Sequence, residues 1–241
     1  MAGHSQFKNI MHRKAAQDKK KGKIATKLIR DIMTAARGGG GGDVNSNSAL
    51  RTAIEKARKE NLVKETIDRA IKRGTGEIAG ADYIERTYEG HGPGGVAVIV
   101  TALTDNPTRT ITSLRTIFNK AGGSVGADGA VAWMFKSVGM IIYPAQIGSE
   151  DVVLEAAIEA GAEDVQSDAE THQILTAPTD FAAVKTALCN RFGEAEEAEL
   201  TYIATQTTAA KDEDHAASVW KFVEALENDD DVQSVVVNLV E

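Results

Sequence analysis

The chain has 241 residues, 42% of them hydrophobic and 26% charged, the composition of a globular protein of two or three domains. A single cysteine, Cys189, excludes an internal disulfide framework and a cysteine-based zinc site, and no apolar run reaches the roughly 18–20 residues that span a bilayer. The net charge of −8 hides a division: residues 1–80 carry 18 Lys+Arg against 8 Asp+Glu, and residues 81–241 carry 9 against 27. One end should seek phosphate while the rest repels it.

Residues 1–22 are polar and basic, with Phe7, Ile10 and Met11 as their main apolar anchors. No apolar stretch backs the basic residues as a signal peptide requires, so the expectation is a soluble, cytoplasmic protein. Ala25, Leu28, Ile29, Ile32, Met33 and Ala36 then recur at the spacing of one helical face. Lys23, Lys27, Arg30 and Arg37 fall on the other side, which predicts a basic outer stripe. Five glycines, Gly38 to Gly42, end this helix, because each forfeits backbone entropy in a helical conformation. A second helix is expected from the Asn45-Ser46-Asn47-Ser48 cluster to about Asn61, and a third from about Lys64 to just before Gly74. Together they make a small helical bundle.

The pattern then changes. Residues 83–88 and 96–103 read as strands joined by the glycine-rich turn Gly90 to Gly95. Thr104-Asp105-Asn106-Pro107 is a helix start, opening a helix over about 108–121, and residues 130–135 read as another strand. From 139 onward the expected order is strand (139–143), helix (149–160), strands (164–167 and 172–176), helix (179–191) and strand (198–204). That is the βαββαβ order of a ferredoxin-like sandwich. A helix over about 212–226 and a strand over 232–239 remain, and neither is stable alone. The expected fold is therefore multi-domain α+β. Residues 1–80 hold the basic segment and a three-helix bundle, 81–136 plus 206–241 a discontinuous α/β domain, and 137–205 an inserted ferredoxin-like domain.

The densest functional signal is His12-Arg13-Lys14 followed by Lys19-Lys20-Lys21-Gly22-Lys23, within a stretch (1–37) of ten Lys+Arg and two Asp. Flexible cations of this kind bind phosphates with salt-sensitive, sequence-independent affinity through counterion release. The candidate nucleic-acid contacts are Lys8, His12, Arg13, Lys14, Lys19, Lys20, Lys21, Lys23, Lys27, Arg30 and Arg37, with Arg109, expected exposed in a first helical turn, as an additional one. Phe7 is the sole aromatic of residues 1–80, so the bundle lacks the stacking platform of a single-strand binder. Recognition of a duplex or of structured RNA through its backbone fits better. A helix-turn-helix would need a tighter connection than the pentaglycine run.

Other motifs carry less. Gly90-His91-Gly92-Pro93-Gly94-Gly95 matches G-x-G-x-x-G, but a strand follows it, so no helix N-terminus would face a pyrophosphate. Histidines 4, 12, 91, 172 and 215 lack metal-ligand spacing. Asp212-Glu213-Asp214 suits a helix N-terminus, and Asp229-Asp230-Asp231 reads as a solvated turn. No nucleophile, base and orienting group assemble from local motifs, so the chain reads as a non-enzyme without cofactor or metal.

Several strings carry a family resemblance. They are Met1-Ala2-Gly3-His4-Ser5, Asn9-Ile10, His12-Arg13-Lys14-Ala15, Gly22-Lys23, Lys27-Leu28-Ile29-Arg30, Asn45-Ser46-Asn47, Ala53-Ile54-Glu55-Lys56-Ala57 and Arg69-Ala70-Ile71-Lys72-Arg73-Gly74-Thr75-Gly76. Tyr88-Glu89-Gly90, Gly92-Pro93-Gly94-Gly95-Val96-Ala97, Thr104-Asp105-Asn106, Arg109-Thr110 and Ala132-Trp133-Met134-Phe135 continue it. With these the chain resembles the YebC family from end to end. The resemblance implies a cytoplasmic bacterial regulator with a helical bundle and two nested α/β domains. Family members carry the label of probable DNA-binding transcriptional regulators, mitochondrial relatives are translational activators, and bacterial relatives have been linked to ribosomes. Gln6, Phe7 and Met11 depart from the family pattern of lysine, tryptophan and lysine.

The reading is a nucleic-acid-binding regulator of gene expression that grips phosphates with its N-terminal end, its acidic domains being candidates for protein contacts. Promoter DNA and structured or ribosomal RNA compete as targets. A protein-interaction scaffold with an incidental basic tail is the third reading.

Overall fold

The structure, a computed structural model, describes residues 21–240, and side chains from residue 24 onward. It is α+β and divides into two compact units, with Phe135–Thr205 forming one and the flanking sequence on both sides forming the other.

In the flanking unit, α1 (Lys21–Arg37), α2 (Ser48–Lys59) and α3 (Lys64–Gly74) form the helical bundle. The apolar periodicity is what packs them. Leu28, Ile32, Met33 and Ala36 of α1 meet Leu50, Ala53, Ile54 and Ala57 of α2 and Ile67 and Ala70 of α3 in one aliphatic core. α1 and α3 approach closely at Gly74, where a Cβ would stand 2.3 Å from the Met33 carbonyl oxygen. Only glycine allows that crossing without moving backbone. Asn47 caps α2 by accepting from the Leu50 N–H at 3.0 Å. Its amide donates to the carbonyls of Ala35 and Gly41, both at 2.8 Å, so one buried side chain closes the glycine loop onto the helix that precedes it.

The remainder of this unit is a sheet in the order β3-β1-β2-β9, with β1 over Ile84–His91, β2 over Ala97–Thr104, β3 over Ser124–Val125 and β9 over Val232–Val237. β1 and β2 pair antiparallel from Ile84 opposite Thr104 to His91 opposite Ala97, and the glycine-rich segment between them is a tight turn that feeds a strand. One face carries Val96, Val98, Val100, Val235 and Val237. Leu114 and Phe118 from α4 (Pro107–Lys120) and Val219, Phe222, Val223 and Leu226 from α7 (Glu213–Glu227) bury it. Phe118 and Phe222 meet edge to face, with centroids 4.8 Å apart. Asn106 caps α4 and Asp212 caps α7. The chain ends in a short parallel pair of β8 (Thr208–Ala209) and β10 (Leu239–Val240).

The strand expected over 130–135 does not form. The carboxylate of buried Glu89 on β1 takes the N–H groups of Gly129, Val131 and Ala132 at 2.7, 2.8 and 2.7 Å, so these donors are unavailable to a sheet ladder. The segment instead closes as a short 3-10 turn over Ala132–Met134, and the next strand runs from Phe135. The two-residue β3 was not expected.

The unit formed by Phe135–Thr205 has the order β4 (Phe135–Pro144), α5 (Glu150–Ala160), β5 (Asp164–Ser167), β6 (Thr171–Thr176), α6 (Phe181–Phe192), β7 (Glu197–Ala204). Its strands lie as β5-β6-β4-β7, all antiparallel, which is the ferredoxin-like arrangement. Ile141, Tyr143 and Ile174 pack under Val153, Ala156 and Ala157 of α5 and Val184 and Leu188 of α6. Burial pushes the Tyr143 phenol up to about 12, and its hydroxyl donates to the Gly193 carbonyl at 3.0 Å.

Candidate nucleic-acid interface

Lys8, His12, Arg13, Lys14, Lys19 and Lys20 lie outside the described residues, and Lys21 and Lys23 are placed only as backbone in the first turns of α1. The other candidates have definite surroundings.

Lys27 and Arg30 correct the expected outer stripe. Lys27 Nζ donates to the Glu227 carbonyl at 3.0 Å. Arg30 donates to the Asp230 carbonyl and pairs with Asp231 Oδ1 at 3.2 Å, with its guanidinium 5.1 Å from the Tyr83 ring centroid. Only 13% of the Arg30 side chain is exposed. The physical reason is the acidic loop between α7 and β9. It lies within reach of this face of α1, and a guanidinium satisfies a buried carboxylate better than water reaching in from outside.

That carboxylate belongs to Asp231, which is not part of a solvated turn. Its residue is 4% exposed. Arg109 Nη2 contacts both of its oxygens at 2.8 and 2.9 Å, Arg109 Nε reaches it at 3.2 Å, and the hydroxyls of Thr110 and Thr104 at 2.8 and 3.3 Å. Burial opposes its ionisation, but the Arg109 and Thr110 hydrogen bonds and the charges of Arg109 and Arg30 outweigh that and hold the carboxyl below the usual range. Arg109 also pairs with Asp105 at 2.9 Å. It remains half exposed, yet its guanidinium is committed to two carboxylates. Asp231 thus ties α1 of the bundle to β2, α4 and the α7–β9 loop.

Arg37 is exposed at the end of α1, paired with Asp82 at 2.6 Å. Both line an open cleft of about 500 Å³ with Ala36, Gly41, Gly74, Thr75 and Gly76, where the C-terminal ends of α1 and α3 meet.

The sequence reading did not single out the basic side chains that α2 and α3 turn to solvent. Arg58, Lys64, Arg69, Lys72 and Arg73 are all exposed. Arg69 lies three and four residues before Lys72 and Arg73, so the three share one outer face of α3, opposite Ile67, Ala70 and Gly74. The signal that marks them is the helical periodicity of residues 64–74, which puts these cations opposite the apolar positions. α2 and α3 are joined by only four residues, 60–63, with Asn61 in the left-handed region at φ 60°. That is the connection length of a helix-turn-helix, which the pentaglycine loop is not.

Among the described residues no cluster of His, Cys, Asp and Glu could hold a metal ion, and no helix is long and apolar enough to cross a membrane. Fold and site together define a multi-domain α+β protein with a basic helical bundle at its N-terminal end. Its matches say which one. Residues 5–77 match the TACO1/YebC protein N-terminal domain, and residues 83–239 match the TACO1/YebC second and third domain. A probable transcriptional regulatory protein of Magnetococcus marinus is 49% identical over 239 residues, covering 99% of this chain and 95% of the relative. One from Persephonella marina is 50% identical over 239 residues, with the same coverage. A crystal structure of a conserved hypothetical protein from Aquifex aeolicus superposes with a TM-score of 0.83 at 46% identity, covering 91% of this chain and 90% of that one. The chain belongs to the TACO1/YebC family.

Proposed function

We propose that the protein is a nucleic-acid-binding regulator of gene expression that holds its target by the N-terminal segment and helical bundle. The observation that carries this reading is the placement of charge: 18 Lys+Arg against 8 Asp+Glu in residues 1–80, and the reverse imbalance beyond. Lys8, His12, Arg13, Lys14, Lys19, Lys20, Lys21 and Lys23 supply the leading contacts, and Arg69, Lys72 and Arg73 extend them along α3. Arg30 and Arg109 act inside the protein as partners of Asp231. The relatives' name, probable transcriptional regulatory protein, and the four-residue connection between α2 and α3 support a DNA target.

Structured or ribosomal RNA is the second reading. α3 carries no aromatic residue and presents mainly Lys and Arg outward, side chains suited to phosphates as much as to base edges. Sedimentation of lysate on a sucrose gradient separates the two. Co-migration with ribosomes that high salt abolishes assigns the protein to translation. Absence from those fractions, with salt-sensitive binding to duplex DNA, assigns it to transcription. Failure to bind either polymer at low salt would refute both.

A further inference from the structure

Residues 21–80 contain no aromatic side chain, so the described bundle offers charge but no ring on which a base could stack. The α/β part of the same unit does offer one. Trp133 lies in the 3-10 turn Ala132–Met134 and is 59% exposed, unusual for the largest apolar side chain. Its indole N–H donates to the Ala130 carbonyl at 3.2 Å. The polar edge is therefore satisfied within the protein, and the face of the ring is what remains to be used.

The backbone under the ring is held from several directions. The Glu89 carboxylate fixes the N–H groups of Gly129, Val131 and Ala132, the Glu89 carbonyl accepts from Gly126 at 2.8 Å, and the Met134 N–H donates to Val131 at 2.9 Å. Val131, two residues before the tryptophan, is fully buried and anchors the turn. Exposed Gly126, Ala127, Asp128, Gly129 and Ala132 surround it in sequence, all short side chains. A protein interface core is built from several adjoining large apolar residues, and this segment exposes a single large one, Trp133. A lone, flat, oriented ring matches a single planar base, and its preorganisation lowers the entropy lost on contact.

We propose that Trp133 is a stacking platform for an unpaired nucleobase, so that the target carries single-stranded positions in addition to the phosphates gripped by the bundle. This rests on the nucleic-acid-binding reading and adds to it the kind of strand that is bound. Glu89 acts as a positioning residue for the platform.

The test uses the full chain. The chain has two tryptophans, and Trp220→Phe leaves Trp133 as the sole indole reporter. Titration with single-stranded oligoadenylate, in RNA and DNA arms, should quench its emission saturably, while a blunt duplex of equal length should leave it nearly unchanged. Trp133→Ala should weaken single-strand binding about tenfold or more, with duplex binding within about twofold and the salt dependence of binding unchanged. Trp133→Phe should recover part of the loss. Wild-type single-strand affinity in Trp133→Ala, or an equal loss on both polymers, overturns the platform and leaves the nucleic-acid reading standing. So does a Trp133→Ala chain that keeps both polymers but loses a co-sedimenting protein, which would make Trp133 a protein contact. Wild-type protein that binds neither polymer removes both proposals.

Discussion

α1 and α3 are both basic helices of one bundle, and they use their cations differently. Lys27 and Arg30 of α1 face the α7–β9 loop and end on the Glu227 carbonyl and on Asp231. Arg69, Lys72 and Arg73 of α3 face solvent. A positive charge counted in sequence is therefore not yet a charge available to a phosphate. Where an internal carboxylate lies opposite, the same residue type becomes a tie between parts of the protein. The difference also gives the bundle a fixed seat on the α/β layer through a residue about two hundred positions away.

The largest effect should come from removing the internal partner. Asp231→Ala leaves Arg30 partly buried without its carboxylate and should cost about 3–5 kcal/mol, read from urea unfolding. A cost below about 1 kcal/mol would place the pair among weak surface bridges. Acid provides the same test without mutation. The carboxyls of Asp231 and Glu89 both sit below their ordinary values. Burial opposes ionisation of Glu89, and its three backbone N–H bonds overcome that. Their stabilisation is thus fully present above the unfolded values of about 4 and is lost as pH falls through the lower folded values. The urea midpoint should be level just above that range and decline below it, more shallowly in Asp231→Asn. An equal slope in wild type and variant would remove Asp231 from the account.

The solvent-facing set should behave oppositely. Replacing Arg69, Lys72 and Arg73 with alanine should change stability by no more than about 0.5 kcal/mol each. The slope of log affinity against log salt should become shallower by about one for every side chain that meets a phosphate. Unchanged binding would confine the interface to the leading segment. Smallest of all is Arg37→Ala, which breaks one exposed pair with Asp82, a kind of bridge that often contributes nothing measurable, and should shift stability by about 0.2 kcal/mol or less.

Local signals were legible wherever one element explained itself. Helical periodicity placed α1, α2 and α3, and the Asn106-Pro107 start placed α4. The alternation of strands and helices over 139–204 carries the ferredoxin-like order in the sequence itself. The failures share a cause, which is dependence on residues distant in the chain. Nothing near residues 129–132 announces that Glu89 will take their N–H groups and deny them to a strand. Asp229-Asp230-Asp231 looks solvated until Arg30 and Arg109 arrive from α1 and α4. Trp133 stands in the sequence only as part of a string shared with the family, because a sequence does not say which face of a turn is left open.

The central claim is that the protein binds nucleic acid by its basic end. Its most direct test is the salt dependence of binding by the full chain, with Lys19, Lys20, Lys21 and Lys23 intact or replaced together by alanine, on one duplex and one structured RNA. The account predicts a steep loss of affinity with salt in the wild type, and weaker, less salt-sensitive binding in the variant. Identical affinities and slopes for the two proteins would contradict it.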